Sequence, residues 1–346
     1  MLNNFSKTVS GAVTVLLAGG LVLGAGHQSS AGHQPSAGHQ PSQPSATHQP
    51  SATHQPGATN EPGAGGQITL DSSMSHPLMG TSIASKAILR QDESEFGRLP
   101  IIRVYYPRLP KKNAWTTGLA GAGGTAVIVS FKALPSKILS GADDGRLNHF
   151  FRTAPTGHLI YYSYYHEPEN NIANGQFTAR AYRKAWAHIV RLARKVHNRD
   201  LRSTLILMAY DLRRCSHRDW RNYLPRGGVI NTLGWDAYPA GDTHLTAPAK
   251  FMGPAVAASE AAGLPFGFAE FGVTTQSGRG AWLRKVGRYI RNSGARFGTL
   301  FDSSPPVPSM RLTNTGSIRA WEKVVTRSDI ANGIRTGKTD SAMNVS

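Results

Sequence analysis

Beyond about residue 75, short apolar runs rich in branched and aromatic residues alternate with longer stretches that mix charge and alanine. Eight such runs read as strands: Leu78–Ile83, Ile101–Tyr106, Thr125–Phe131, His158–His166, Thr204–Tyr210, Val229–Asp236, Pro265–Glu270 and Phe297–Phe301. The clearest helix is Thr178–His197, where Ala185, Ile189, Leu192 and Val196 repeat at helical spacing. Arg180, Lys184, Arg191 and Lys195 lie on a different face, which reads as a solvated basic stripe. Further helices are expected at Ala247–Ala262, Gly280–Ser293 and Ser317–Thr326. Strand and helix in alternation imply a parallel sheet. Eight repeats in this length favour closure into a (β/α)8 TIM barrel, an α/β fold of about 250 residues.

The opening segment departs from that pattern. A single cation, Lys7, precedes an uncharged stretch, Gly11–Gly26, that ends in small residues, as in a secretory signal peptide. Residues 27–70 drift through repeats of Ala-Gly-His-Gln-Pro-Ser with nothing large enough to seed a core, so they read as a disordered spacer. The expected organisation is therefore signal peptide 1–26, linker 27–70, barrel 71–330 and a flexible tail 331–346. Cys215 is the only cysteine, which excludes an intramolecular disulfide.

Charge adds one further expectation. The net charge of +18 falls almost wholly on the barrel, because residues 1–70 contain only Lys7 and Glu61. An exported protein with this balance is drawn to anionic cell-envelope polymers. The aromatic residues are not interleaved with the Arg and Lys runs, so nucleic acid is not expected as a partner. Neither is a membrane span once the signal is cleaved, and the chain is expected as a monomer.

Two strings carry the candidate chemistry. Tyr164-Tyr165-His166-Glu167-Pro168-Glu169 and Phe268-Ala269-Glu270-Phe271-Gly272 each place a glutamate at the end of an apolar run, followed by Pro or Gly. In a (β/α)8 barrel that position is the catalytic rim. Strand alternation puts Tyr161, Ser163, Tyr165 and Glu167 on one face if no bulge intervenes, and Phe266, Phe268 and Glu270 on one face. Glu169 reads as solvated or salt-bridged. The sixth run ends in Trp235-Asp236-Ala237-Tyr238-Pro239, so Tyr238 can hold Glu270 through its hydroxyl while Trp235 or Asp236 meets a substrate. A competing reading makes Glu270 a structural carboxylate paired with an arginine such as Arg103. The two glutamates are 103 positions apart, as three βα units of ~30–35 residues require. Paired carboxylates on such a rim are the equipment of glycoside hydrolysis.

Other chemistries lack their residues. No Gly-x-Gly-x-x-Gly or phosphate loop follows a strand, Pro168 and Asn170 rule out a His-Glu-x-x-His helix, and no Gly-x-Ser-x-Gly elbow occurs. No metal or organic cofactor is expected.

With Glu167 ending the fourth strand and Glu270 the seventh, the chain resembles the clan A (β/α)8 retaining glycoside hydrolases. His166 before the first glutamate makes it similar to glycoside hydrolase family 26, the β-mannanases and their relatives. The resemblance spans about residues 74–328. It implies Glu167 as acid/base, Glu270 as nucleophile, His166 as a neighbour contacting sugar or nucleophile, and Tyr238 as the nucleophile's hydrogen-bond partner. Three departures stand out: Ser163, Tyr164 and Tyr165 replace the Arg-Pro-apolar lead-in, Pro168, Glu169, Asn170 and Asn171 replace the Asn-Gly and tryptophans that follow the acid, and Phe301 and Asp302 stand where the clan commonly has a tryptophan. Rim aromatics Tyr106, Tyr210, Trp235 and Tyr238 are expected to stack on sugar rings. The expectation is a secreted, endo-acting, retaining hydrolase of β-mannan or a related β-glycan. The alternative is a non-catalytic, cell-surface glycan-binding barrel.

Overall fold

Eight parallel strands follow one another around a closed barrel in chain order, each hydrogen-bonded to its sequence neighbours and β8 closing on β1. They are β1 (Leu78–Ser82), β2 (Ile101–Tyr106), β3 (Ala126–Phe131), β4 (Ile160–Tyr164), β5 (Leu201–Met208), β6 (Thr232–Asp236), β7 (Phe266–Phe271) and β8 (Phe297–Leu300). The structure is a computed structural model, which describes residues 76–123, 126–157, 159–240, 244–303 and 309–332. The expected signal peptide and linker, and the tail beyond residue 332, lie outside the described residues.

Two apolar layers follow from strand alternation. Leu78, Ile101, Ala126, Ile128, Tyr161, Ile206, Ala269 and Phe297 form a compact interior cluster that plugs the barrel. The rings of Tyr161 and Phe297 lie 4.7 Å apart there. Gly267 makes room for this plug, since a Cβ on it would come within 2.5 Å of the Phe297 ring. The opposite strand faces supply the larger core between sheet and helices, which includes Val104, Val129, Leu205, Leu233 and Phe268.

The outer layer contains α1 (Lys86–Phe96), α2 (Pro135–Leu139), α3 (Asp144–Arg152), α4 (Glu169–Ala173), α5 (Ala179–Arg194), α6 (Pro248–Ala262), α7 (Arg279–Asn292) and α8 (Thr315–Ala331). In α5, Thr178 caps the first turn by accepting the Ala181 N–H at 3.1 Å, and Ala185, Trp186, Ile189 and Leu192 turn inward. Its basic stripe, Arg180, Lys184, Arg191 and Lys195, is exposed. The helices α1 to α4 were not expected from periodicity. In α1 only Leu89, Asp92 and Phe96 are buried, too sparse an apolar stripe to read. After β2 and β5 the chain uses loops with short 3₁₀ turns instead of α-helices, and Trp115 and Trp220 help cover the barrel there.

Candidate active site

The loop after β4 is bent at two residues. The strand ends at Tyr164, two residues short of the expected His166, because Tyr165 and Glu167 adopt left-handed backbone angles, φ 49° and 51°. Such angles are uncommon outside glycine, and the neighbouring strands hold them in place. The Tyr165 N–H donates to Phe131 O at 2.7 Å and the Glu167 N–H donates to Ile206 O at 3.1 Å. Tyr165 therefore leaves the interior face expected for it and packs on Phe177, with ring centroids 4.8 Å apart. Glu167 stays in the barrel mouth, within interaction range of Asp236, Arg103 and Lys132.

Among the described residues Glu169 has neither the solvent exposure nor the salt bridge that were its two expected states. It opens α4, is fully buried, and its Oε1 accepts the Met208 N–H at 2.7 Å, tying the β4 loop to the end of β5. Burial, and after it the nearby Asp211, pushes its carboxyl well above the usual range.

On β7 simple alternation fails. Phe266 and Phe268 pack outward in the helix-facing core, while Ala269 belongs to the interior cluster. Strict alternation from Phe268 would send Glu270 outward too, so the expected common face of Phe266, Phe268 and Glu270 does not exist. A β-bulge corrects the direction. The register shifts between Trp235 and Asp236 on the β6 side, where Asp236 pairs with Glu270, and between Phe268 and Phe271 on the β8 side. The extra residue re-aims the Glu270 side chain into the mouth.

There Arg103 joins two strands across the barrel. Ile101, Arg103 and Tyr105 alternate inward along β2, and the fully buried Arg103 guanidinium reaches β6 and β7. Its Nη1 and Nη2 donate to Asp236 Oδ1 and Oδ2 at 2.6 and 3.1 Å, and Nη1 also lies 3.0 Å from Glu270 Oε1. The Tyr238 hydroxyl donates to Glu270 Oε2 at 3.0 Å. Glu270 is thus held by both an arginine and a tyrosine, and its side chain keeps 13% exposure toward the mouth.

The electrostatics follow from three carboxyl groups around one guanidinium. Burial raises Glu167 to about 7, with the Asp236 charge adding to the effect. Burial also pushes Glu270 above the usual carboxylate range, against the pull of Arg103. Asp236 is raised by burial and drawn down by Arg103. The cluster therefore retains protons near neutral pH. Direct contacts decide where one of them sits. Glu270 touches a guanidinium and a phenol donor, both of which favour its charged form. Among the described residues no cation lies within ion-pair distance of Glu167, and its hydrogen bond with Asp236 favours the acid form of Glu167. Burial works against the Arg103 charge, and Asp236 followed by Glu270 more than restores it.

His166 lies between the two bent residues, its ring centroid 6.0 Å from that of Tyr105. Burial, then Lys132 and Arg103, hold it neutral, well below the ordinary histidine range. Tyr210 is exposed on the 3₁₀ turn after β5, with the Arg213 guanidinium 5.7 Å from its ring centre.

Four sequence expectations are corrected here. Trp235 is fully buried on the outer face of β6, its Nε1 donating to Ser259 Oγ at 2.9 Å, so it packs under α6 and cannot meet a substrate. Asp236 is buried against Arg103 and acts on the other carboxyls. Tyr106 alternates outward, packs against the helix-facing core and accepts the Ala120 N–H through its hydroxyl; Tyr105 is the β2 aromatic that faces the mouth. Asp302 is buried in a separate ion cluster. Phe301, at the end of β8, is 5% exposed. Reasoning from sequence missed Tyr105 and Lys132. Counting alternate residues from Ile101 and from Ile128 would have found both.

That separate cluster is the one metal-like grouping among the described residues. Asp92, Glu95 and Asp302 lie close enough to share an ion. The Arg311 guanidinium already fills the place, 2.6 Å from Asp92, 3.2 Å from Glu95 and 3.2 Å from Asp302, and pins the loop after β8 to α1.

No protein-family model matches the sequence, and no curated protein matches it. Solved structures share the fold. An exo-β-1,4-mannosidase from Opitutaceae bacterium strain TAV5 is 14% identical with a TM-score of 0.56, over 76% of this chain and 63% of that one. A modular endo-β-1,4-mannanase of glycoside hydrolase family 26 from Cellulomonas fimi is 13% identical with a TM-score of 0.54, over 80% and 77%. A family 26 β-mannanase from Bacteroides ovatus is 9% identical with a TM-score of 0.53, over 75% and 91%. The chain thus has the (β/α)8 architecture found in these glycosidases.

Proposed function

We propose that the protein is a retaining glycoside hydrolase acting on β-mannan or a related β-glycan, with Glu167 as acid/base and Glu270 as nucleophile. The observation that carries this reading is the convergence of both glutamates on Arg103 and Asp236 at the carboxyl ends of β4 and β7. Their unlike surroundings support the division of labour. Glu270, held by Arg103 and Tyr238, attacks the anomeric carbon as the bond to the departing oxygen breaks. Glu167 gives that oxygen its proton, leaving a covalent glycosyl ester on Glu270. Water then attacks the same carbon, Glu167 takes a proton from it, and the Glu270 carboxylate is released. Arg103 and Tyr238 hold the carboxylate that is consumed and regenerated. Neutral His166 and the exposed Tyr210 are placed to contact sugar hydroxyls and faces. Endo-action and secretion, with residues 1–26 as the export signal, belong to the same reading.

The test is reducing-sugar release from β-mannan, β-glucans, xylan and acidic glycans by the parent, Glu167→Gln and Glu270→Gln proteins. Release by the parent alone, with the β-anomer formed first by NMR, is the expected result. No release from any polymer, with glycan retained on the protein, would replace this reading with the non-catalytic binding barrel.

A further inference from the structure

Among the described residues, the barrel mouth holds cations that form no ion pair. Among the described residues, the acidic side chains on the loops after the strands, Glu167 apart, are engaged elsewhere. Asp211 pairs with Arg218 at 3.3 Å, Asp219 with Arg221 at 3.7 Å and Asp302 with Arg311 at 3.2 Å, while Glu169 accepts the Met208 N–H. Deeper in the mouth, Asp236 and Glu270 are tied to Arg103.

Two cations at the same rim have no carboxylate within ion-pair distance among the described residues. Lys132 follows β3 directly and continues the inward series Ile128, Ser130, Lys132. Its ammonium lies 5.2 Å from the centre of the Tyr165 ring and within interaction range of Glu167, Glu169 and Asp236. It is half-buried, so its charge is partly stripped of water without gaining a fixed partner. Arg213 spends one nitrogen on the Tyr238 carbonyl at 2.8 Å and rests against the Tyr210 ring. Among the described residues the rest of its fork has no hydrogen-bond partner; the Tyr238 whose backbone carbonyl it holds donates through its hydroxyl to Glu270.

We infer that Lys132 and Arg213 form an anion-binding subsite beside the catalytic pair, and that the glycan taken by this barrel carries acidic substituents, carboxylate or ester sulfate. A half-desolvated ammonium and an open guanidinium fork each gain most from an oxyanion in direct contact, and an uncharged sugar leaves both without an ion-pair partner. Lys132 lies on the Glu167 side and so meets the leaving-group part of the chain. The inference deepens the glycosidase reading and rests on it only for which part of the glycan lies where.

The experiment measures binding to the full-length Glu270→Gln protein by calorimetry. The probes are β-1,4-hexamannuronate, mannohexaose, which differs from it only in the C6 group, and 6-O-sulfated mannohexaose. An acidic probe should bind about tenfold or more tightly than mannohexaose, and the stronger of the two identifies the anion. Adding Lys132→Met or Arg213→Met should remove most of that preference. Arg288→Met, which deletes an exposed charge on α7, should leave it intact. Equal affinity for neutral and acidic probes, no binding of any probe, or an equal loss in Arg288→Met would each overturn the inference. Hydrolysis of neutral glycans without an acidic preference would remove the subsite and keep the glycosidase. Acidic preference without hydrolysis by the parent would do the reverse.

Discussion

Arg103 on β2 reaches across the barrel to Glu270 on β7, Nη1 to Oε1 at 3.0 Å, while its other contacts close on Asp236. One fully buried guanidinium therefore anchors two carboxylates that enter from neighbouring strands.

Removing it should be severe. Arg103→Met leaves two buried carboxylates without their cation, which costs about 3–5 kcal/mol of folding stability. Urea unfolding at neutral pH measures this, and an unchanged midpoint would show that the pair is not what holds the mouth together. The loss should shrink at low pH, where Asp236 and Glu270 accept protons.

Tyr238→Phe deletes the hydroxyl that donates to Glu270 Oε2 and nothing else in the pair. Losing one such bond to a charged group is worth about 1.4 kcal/mol, or roughly tenfold in kcat/KM. It also removes a contact that favours the ionised carboxyl, so the acid limb of the rate profile should move to higher pH. A profile that keeps its limb while the rate drops would assign Tyr238 to substrate contact instead.

Stability should fall as the solution becomes alkaline. Glutamate ordinarily titrates at 4.5, whereas burial lifts Glu167 to about 7 in the fold. The folded state then binds more protons than the unfolded chain across that interval. The stabilisation is complete below 4.5 and is lost as pH rises through about 7. Calorimetric Tm should decline over this window, with a shallower slope in Glu167→Gln. A Tm that climbs across it would contradict the protonated cluster. If Glu167 supplies the proton, kcat/KM should decline on the alkaline side of about 7 in the parent protein.

Trp235 provides the opposite kind of test. Trp235→Phe loses the Ser259 hydrogen bond and part of the contact under α6, about 1–3 kcal/mol of stability. Hydrolysis by the folded fraction should be unchanged. A selective fall in kcat/KM at temperatures well below Tm would return Trp235 to the substrate face.

Much of the site was legible in local pattern. Apolar runs ending in Glu-Pro or Glu-Phe-Gly report both the buried strand and its end, because a lone carboxylate is not tolerated inside such a run without a purpose. The direction of each side chain was harder to read. Period-two alternation assumes an unbroken ladder, and it mis-assigned Tyr165, Phe266 and Phe268 where left-handed residues or a bulge break it. On β2, parity from Ile101 points to Tyr105 and not to the expected Tyr106 as the aromatic of the mouth.

The eight-strand order, the amphipathic α5 and the two glutamates at strand ends were set by short-range rules: side-chain periodicity, capping and the breaking power of Pro and Gly. Those signals span a few residues and survive in the sequence as written. The tertiary structure decided what meets what. Arg103 and Asp236 are 133 positions apart, and no local propensity links them. Only closure of the barrel brings β2 opposite β6 and β7, excludes water from the mouth, and makes three carboxyl groups compete for one guanidinium and the protons they share.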